Sequence, residues 1–178
     1  MSDIGVAGLA RLTWRAATAT APALILSRAA ARLSLLCMVA ALAACSSAPK
    51  PTPLTGSIEA AAQVNPSVSK RPSPVLVRVY ELKSATAFNS ADFVSLYQSD
   101  QATLAADLVG RDEFMLSPGQ SRPYAKTVAP EVRFIGVMAA FRDIERAQWR
   151  SVVALQPGKK QKLVIRASEL SVTATVER

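Results

Sequence analysis

The chain has 178 residues and a net charge of +8, and half of its residues are hydrophobic. It contains no histidine, which removes the commonest general base, the commonest metal ligand and every histidine-dependent catalytic triad. The length predicts one domain with additional segments.

The first 44 residues have the features of a signal peptide. Four arginines and one aspartate precede an apolar run over residues 33–44, which is too short to span a bilayer as a mature helix. The run ends in Leu42, Ala43, Ala44 and Cys45, which resemble the bacterial lipobox. The lipobox implies cleavage before Cys45, a diacylglycerol on its sulfur and an acylated amino group. The alternative is a plain secretory signal followed by a chance cysteine.

Lipidation at Cys45 would decide where the protein lies and what stabilises it. Two or three acyl chains on one residue give stable anchoring, and Ser46 suggests sorting to the outer membrane, with the domain facing the periplasm. Cys37 would leave with the signal peptide, so the mature chain has no thiol for a disulfide and depends on packing. Its net charge would fall from +8 to +5, because cleavage removes four arginines and one aspartate. A surface of this charge is either simply solvated or suited to anionic lipid or an acidic protein face.

The mature chain divides into a tether and a folded domain. Residues 45–53 comprise the lipidated cysteine and a flexible segment rich in serine and proline, and residues 54–178 form the domain. Short apolar or alternating runs between turn signals predict about eight strands. In chain order they cover residues 56–64, 75–82, 112–119, 121–128, 132–143, 149–155, 162–167 and 170–177.

The patterns also predict the place of several strands. In the second strand the three valines at 75, 77 and 79 face one way, Tyr80 and Leu82 face the other, and Arg78 lies near an edge. Pro123 places the fourth strand at a sheet edge, whereas the fifth is apolar on both faces and therefore central. The sixth and seventh strands are predicted to form a hairpin around Pro157-Gly158.

Residues 90–108 interrupt this pattern and predict helices between the second and third strands. Ser90 is the expected cap of a helix with apolar positions at Phe93, Val94, Leu96 and Tyr97, and a second short helix is expected over residues 102–108. The predicted fold is all-β with a small helical insertion, as a two-sheet β-sandwich.

No pattern in the mature chain indicates catalysis or a cofactor or metal site. With Cys45 lipidated no thiol remains, and no glycine-rich phosphate loop is present. Asp112 and Glu113 are adjacent, so in a strand they point to opposite faces. Asp143 and Glu145 lie beside two arginines, which is typical of a surface ion cluster. We therefore expect neither an enzyme nor a small-molecule substrate.

A nucleic-acid partner is not expected either. Lys159, Lys160 and Lys162 cluster at the predicted hairpin turn without interleaved aromatic residues. Lysines at strand ends are a common protection against edge-to-edge pairing of sheets, and this interpretation is favoured here.

Several stretches, taken in order, carry a family resemblance. They are NPSVSKRPSPVLVRVYELKSATAFNSADFVSLYQSDQATLAADL, LSPGQSR, FIGVMAAFRD and QWRSVV. The chain resembles the type VI secretion system outer-membrane lipoprotein family (SciN/TssJ) over about residues 54–155. The resemblance implies a transthyretin-like sandwich that anchors a trans-envelope membrane complex to the outer membrane. It also implies binding to the C-terminal periplasmic part of the inner-membrane protein TssM through the loop between the first two strands.

In this chain that loop covers residues 63–74. Its members are Gln63, Val64, Asn65, Pro66, Ser67, Val68, Ser69, Lys70, Arg71, Pro72, Ser73 and Pro74. The prolines restrict the loop, so less entropy is lost on docking, and its two cations could pair with acidic groups of a partner. The alternative is a solvated connector that contacts nothing. A different function, as a pilotin or chaperone for a client protein, would need an exposed apolar groove at the helical insertion.

Overall fold

The computed structural model describes residues 49–177. The predicted lipobox, Leu42, Ala43 and Ala44, and the predicted lipidation site, Cys45, lie outside the described residues. The described chain is a two-sheet β-sandwich with a small helical portion, as predicted. Each sheet has four strands.

Eight strands and two helices follow one another along the described chain. They are β1 (Thr52–Ala60), β2 (Val75–Leu82), α1 (Thr86–Ser90), α2 (Phe93–Leu104), β3 (Leu108–Leu116), β4 (Ser121–Val128), β5 (Phe134–Ala140), β6 (Arg150–Ala154), β7 (Gln161–Ala167) and β8 (Val172–Glu177). A short 3-10 turn, Ala105–Asp107, joins α2 to β3. One sheet has the order β4-β1-β7-β8 and the other has the order β3-β2-β5-β6. Within these sheets only β1 and β7 pair in parallel.

The main core lies between the two sheets. The three valines of β2 at 75, 77 and 79 are fully buried there, on the side that the alternation predicts. Ile58 from β1, Ile165 from β7 and Val137 from β5 belong to the same cluster. Burying each such side chain contributes roughly 1.5–3 kcal/mol to the stability of the domain. The edge position of β4 and the central position of β5 are confirmed.

A second core fills the space between the outer face of one sheet and the helices. Tyr80 and Leu82 of β2 pack there with Phe88 and Leu96 from the helices. The prediction that Ser90 caps the main helix was wrong, because Ser90 ends α1. Asp92 is the cap, and its carboxylate accepts the backbone N–H of Ser95 at 2.9 Å. The expected second short helix over residues 102–108 is present in part, because α2 consists of two helical segments that meet at a kink at residue 99, and the 3-10 turn follows the second segment.

The prediction that Arg78 lies near a sheet edge was wrong. β2 is an inner strand between β3 and β5. The Arg78 guanidinium turns toward α2, where it donates to the carbonyl of Tyr97 at 2.7 Å and to the Glu113 carboxylate at 2.6 Å. Asp100 of α2, itself buried, accepts from Arg111 at 2.5 Å and lies 3.6 Å from Arg78. These charged contacts fasten the helical insertion to the sheet.

The predicted hairpin of β6 and β7 was also wrong. The two strands belong to different sheets, so residues 155–160 cross from one sheet to the other. Leu155 is buried at the start of this crossing, and its N–H donates to the carbonyl of Arg133 at 2.8 Å. The Pro157-Gly158 turn therefore exists, but it redirects the chain instead of joining paired neighbours.

Strand β1 begins and ends earlier than predicted. It starts at Thr52, so the last two residues of the predicted tether pair with β4. It stops at Ala60 because the chain then turns, with the N–H of Val64 donating to the carbonyl of Ala61 at 3.1 Å. Within β1, Gly56 lies against β7 so closely that an added Cβ would be 1.8 Å from the carbonyl oxygen of Leu163.

Replacing Gly56 with alanine is expected to destabilise the domain by about 3 kcal/mol or more, because the methyl group must displace the backbone of β7. Urea unfolding followed by circular dichroism measures the change. Gly119→Ala is the matched control, since Gly119 also has a positive φ, of 74°, but has open space around it. It is expected to cost only about 1 kcal/mol, and equal losses in the two variants would contradict the clash.

Candidate functional site

The loop between β1 and β2 lies at the opposite end of the sandwich from the start of β1. We call residues 61–74 the distal loop. β1 has nine residues, which at the rise of a strand separates its two ends by roughly 26 Å. The connections at residues 117–120, 141–149 and 168–171 leave the sandwich at the same end as the distal loop. The start of β1 is therefore remote from the surface that these loops form.

Asn65 joins three of these connections through hydrogen bonds. It is buried, and its backbone φ of 48° is one that asparagine tolerates better than most residues. Its Nδ2 donates to the carbonyl of Pro74 at 2.7 Å and its Oδ1 accepts the N–H of Arg142 at 2.8 Å. Its own N–H donates to the carbonyl of Glu169 at 3.0 Å. The side chain of Asn65 thus ties the base of the distal loop to the connection at 141–149, and its backbone N–H ties it to the connection at 168–171.

The tip of the distal loop is closed by its own hydrogen bonds. The N–H of Ser67 donates to the carbonyl of Arg71 at 2.8 Å, and the N–H of Lys70 donates to the carbonyl of Ser67, also at 2.8 Å. The hydroxyl of Ser67 accepts the N–H of Arg71 at 3.2 Å. At the base, the N–H of Ser73 donates to the carbonyl of Val64 at 3.1 Å. The loop is thus a structured projection in which prolines and backbone hydrogen bonds both limit motion.

Exposure separates the predicted contact residues into two groups. Val64 and Asn65 lie inside the domain, so they can support a contact but cannot make one. Lys70 and Arg71 are exposed, and within residues 49–177 their side chains have no hydrogen bond or ion pair. Val68, between the serines of the tip, is fully exposed at 106%. Among the described residues Val68 is the most exposed large apolar side chain, and its place in the sequence carries no local pattern that predicts this exposure.

A cleft of about 750 Å³ lies beside the distal loop. It is bordered by Val68 and Lys70 on one side and by residues 142–146 and 169–170 on the other. Asp143 and Arg146 form the expected surface ion pair there, and hydrogen bonding from Arg146 lowers the pKa of the Asp143 carboxyl. The cleft combines apolar side chains with charges of both signs, a surface suited to a polypeptide segment.

The described chain holds no constellation typical of an active site. Asp112 and Glu113 face opposite sides of β3, as predicted: Asp112 accepts from Tyr124 at 3.1 Å and from Lys126 at 2.8 Å, whereas Glu113 pairs with Arg78. Within residues 49–177 no group of three or more carboxylates or other ligating side chains is arranged to hold a metal ion. No helix in that part of the chain is long and apolar enough to cross a membrane.

Comparison with known families gives one match over most of the chain. The T6SS-SciN family model, described as Type VI secretion lipoprotein, VasD, EvfM, TssJ, matches residues 52–170. The match covers every strand except β8, which begins at Val172. The comparison with curated proteins gave no match.

Solved structures resemble the sandwich closely. The T6SS lipoprotein TssJ1 from Pseudomonas aeruginosa is 36% identical with a TM-score of 0.69, over 72% of this chain and 98% of that chain. Lip from Serratia marcescens, a membrane-bound component of the Type VI Secretion System, is 27% identical with a TM-score of 0.63, over 73% and 99%. A structure of the T6SS protein TssM C-terminal domain from EAEC holds a chain that is 29% identical with a TM-score of 0.55, over 69% and 97%.

Asn65→Ala is expected to release the distal loop and to lower the free energy of unfolding by about 2 kcal/mol, because a partly buried backbone N–H and a carbonyl lose their partners. Hydrogen exchange should accelerate at Arg142, whose N–H loses its acceptor, and within residues 66–73. The exposed neighbour Gln63 provides the control, and Gln63→Ala should change neither quantity. Unchanged exchange in the Asn65 variant would contradict the role assigned to this side chain.

Proposed function

The chain belongs to the type VI secretion lipoprotein family, a structural family of the secretion apparatus, and we propose that it anchors a trans-envelope membrane complex to the outer membrane. In this proposal Cys45 carries the lipid, and the distal loop binds the C-terminal periplasmic part of the inner-membrane protein TssM. The protein would contribute binding and attachment to effector delivery, without catalysis.

The observation that carries the proposal is the separation of the two ends of β1. The chain enters β1 at Thr52, seven residues after Cys45, and leaves it toward the distal loop. A domain tied to a membrane through Cys45 would therefore carry the distal loop on its far side, where a protein reaching outward from the inner membrane could meet it. A loop at the end of the sandwich where β1 starts would lie against the anchoring membrane and would be less accessible to such a protein.

The surface of the distal loop favours a protein partner. Its tip offers an apolar side chain, Val68, together with two unpaired cations, Lys70 and Arg71. Apolar centres with charged surroundings are typical of protein interfaces. Arg71 is the better candidate for a buried contact, because its planar guanidinium can bind a carboxylate through two hydrogen bonds.

The identity of the partner is supported by the structural neighbours. One chain similar to this one belongs to a structure of a Type VI membrane complex, at 30% identity and a TM-score of 0.60. Another belongs to the structure of the TssM C-terminal domain. These relationships support TssM as the partner, and the assignment of its contact to the distal loop rests on the geometry of the sandwich.

The alternative function as a pilotin or chaperone is not favoured by the helical insertion. Leu96 is fully buried, and Phe93 is packed between Tyr97 and Trp149, with ring centroids 5.5 Å from each. Tyr97 is 42% exposed, but Arg78 lies 5.1 Å from the centre of its ring. The predicted client groove is thus filled by the protein's own side chains.

Reversing both loop charges, with Lys70→Glu and Arg71→Glu, is expected to weaken binding to a periplasmic TssM fragment at least tenfold, because close charge pairs across an interface contribute about 1.5 kcal/mol or more. Calorimetric titration measures the affinity, and circular dichroism checks the fold. Lys159→Glu with Lys160→Glu makes the same change of net charge at the opposite end and should leave the affinity within about twofold. A loop variant that binds like the wild type would remove the loop from the interface.

Cys45→Ser is expected to abolish type VI secretion while leaving the domain folded, because an unanchored domain cannot hold the complex at the membrane. Secretion of an effector into the medium is the readout, with fractionation to follow the protein. Cys37→Ser, a matched change within the predicted signal peptide, should secrete normally. Wild-type secretion by the Cys45 variant would overturn the anchoring role.

A further inference from the structure

Three lysines meet where the chain enters the sandwich. Lys50 precedes β1, and Lys159 and Lys160 lie in the crossing between β6 and β7. The two segments touch, since the N–H of Gly158 donates to the hydroxyl of Thr52 at 2.8 Å. A Cβ added to Gly158 would lie 3.4 Å from the Cβ of Lys50. We call Lys50, Lys159 and Lys160 the basic cluster.

Buried polar side chains hold the basic cluster in place. Thr52 is fully buried beneath the crossing, and Gln161 is 3% exposed. The Gln161 side chain accepts the N–H of Gln156 at 3.0 Å and donates to the carbonyls of Gln156 at 2.9 Å and Lys159 at 3.2 Å. The crossing is therefore a fixed platform, and its lysines project from a defined place.

The lysines of the basic cluster are exposed and have no ion pair within residues 49–177. The next lysine along the chain differs, because Lys162 pairs with Glu177 at 2.9 Å. The protection of a hairpin edge that was expected of Lys159, Lys160 and Lys162 does not apply, since the crossing joins two sheets and forms no hairpin. These unpaired charges therefore remain available to a ligand.

The surrounding connections leave this end of the sandwich positively charged. Lys83 and Arg133 lie in loops at the same end, as do Asp107 and Glu131. With the basic cluster, these loops hold more cations than anions. A group of exposed lysines around a hydrogen-bonded turn, without aromatic stacking partners, suits a diffuse layer of negative charge better than a shaped ligand.

We propose that the basic cluster contacts the anionic phospholipid headgroups of the membrane that holds the anchor. The inference rests on the proposed lipidation at Cys45. Lys50 is five residues from Cys45, so an extended chain keeps it within about 18 Å of the lipidated residue. Electrostatic attraction reaches about 8–10 Å from a charged surface at physiological salt. A link of this length allows Lys50 to come within that distance of the headgroups around the anchor. A polybasic surface beside an acyl anchor is a recognised second membrane signal.

Contact at the basic cluster would set the orientation of the whole domain. β1 runs from the basic cluster to the distal loop, so headgroups held at one end place the other end farthest from the bilayer. The tether alone would leave the domain free to tilt or to lie on its side. The proposed contact therefore presents the distal loop away from the membrane.

The test uses the mature, lipid-carrying protein reconstituted in vesicles that contain an energy acceptor on a lipid headgroup. One fluorophore is placed near the basic cluster through Pro157→Cys, or at the distal end through Ser117→Cys, since the mature chain has no other unlipidated cysteine. The transfer efficiency of the label at residue 157 is divided by that of the label at residue 117. This ratio should be about twofold higher on phosphatidylcholine vesicles with about one third phosphatidylglycerol than on phosphatidylcholine alone. Raising the salt from about 0.1 M to about 1 M should remove the difference.

Two matched variants separate this inference from the proposed function. Changing all of Lys50, Lys159 and Lys160 to glutamine should abolish the difference between the vesicles while leaving binding to the TssM fragment intact. Changing Lys70 and Arg71 to glutamine should leave the difference unchanged. The headgroup contact is overturned if the ratio is identical on both kinds of vesicle, or if the triple variant keeps the wild-type difference between them. Either result leaves the proposed function intact. Absence of lipid at Cys45 by mass spectrometry overturns the anchor and this inference together.

Discussion

Strand β1 runs through the middle of its sheet, between β4 and β7, and the geometry of the whole molecule depends on that position. The tether precedes its first residue, Thr52, and the distal loop follows its last, Ala60. A strand paired on both sides cannot fold back, so the two ends stay roughly 26 Å apart. Gly56 permits the close parallel pairing with β7 that keeps β1 in this place. The proposed sites of attachment and recognition are therefore separated by a stiff element.

Both ends of the sandwich are held by buried polar side chains. Thr52 and Gln161 fix the crossing beside the tether, and the Asn65 side chain fixes the distal loop to the connection at 141–149. Among the described residues, every buried side-chain nitrogen and oxygen has a hydrogen-bond partner. Such satisfied groups impose a defined geometry, because leaving one of them unpaired would cost about 1–3 kcal/mol. In the proposed function, rigid connections at both ends would keep the membrane anchor and the partner-binding loop at a fixed separation.

Local patterns in the sequence were sufficient to predict the strands with the clearest hydrophobic pattern. They were insufficient to predict contacts between segments that are distant in the sequence. The alternation of β2 and the apolar run of β5 predicted their faces correctly because those patterns are local. Pro157 and Gly158 signal a turn, but the sheet that the next strand joins depends on packing elsewhere. Ser90 and Asp92 are both good helix caps two residues apart, so composition could not choose between them. Asn65 was seen only as part of a loop, since its acceptor role involves a backbone group 77 residues away.

In the proposed function the partner binds at the distal end of the sandwich and not near the tether. Hydrogen–deuterium exchange of the lipid-carrying protein, with and without a periplasmic TssM fragment, separates these two locations. Slower exchange is expected in residues 61–74, and in the neighbouring connections at 141–149 and 168–171, with no change at residues 155–160. Protection centred on residues 155–160, with the distal loop unaffected, would contradict it.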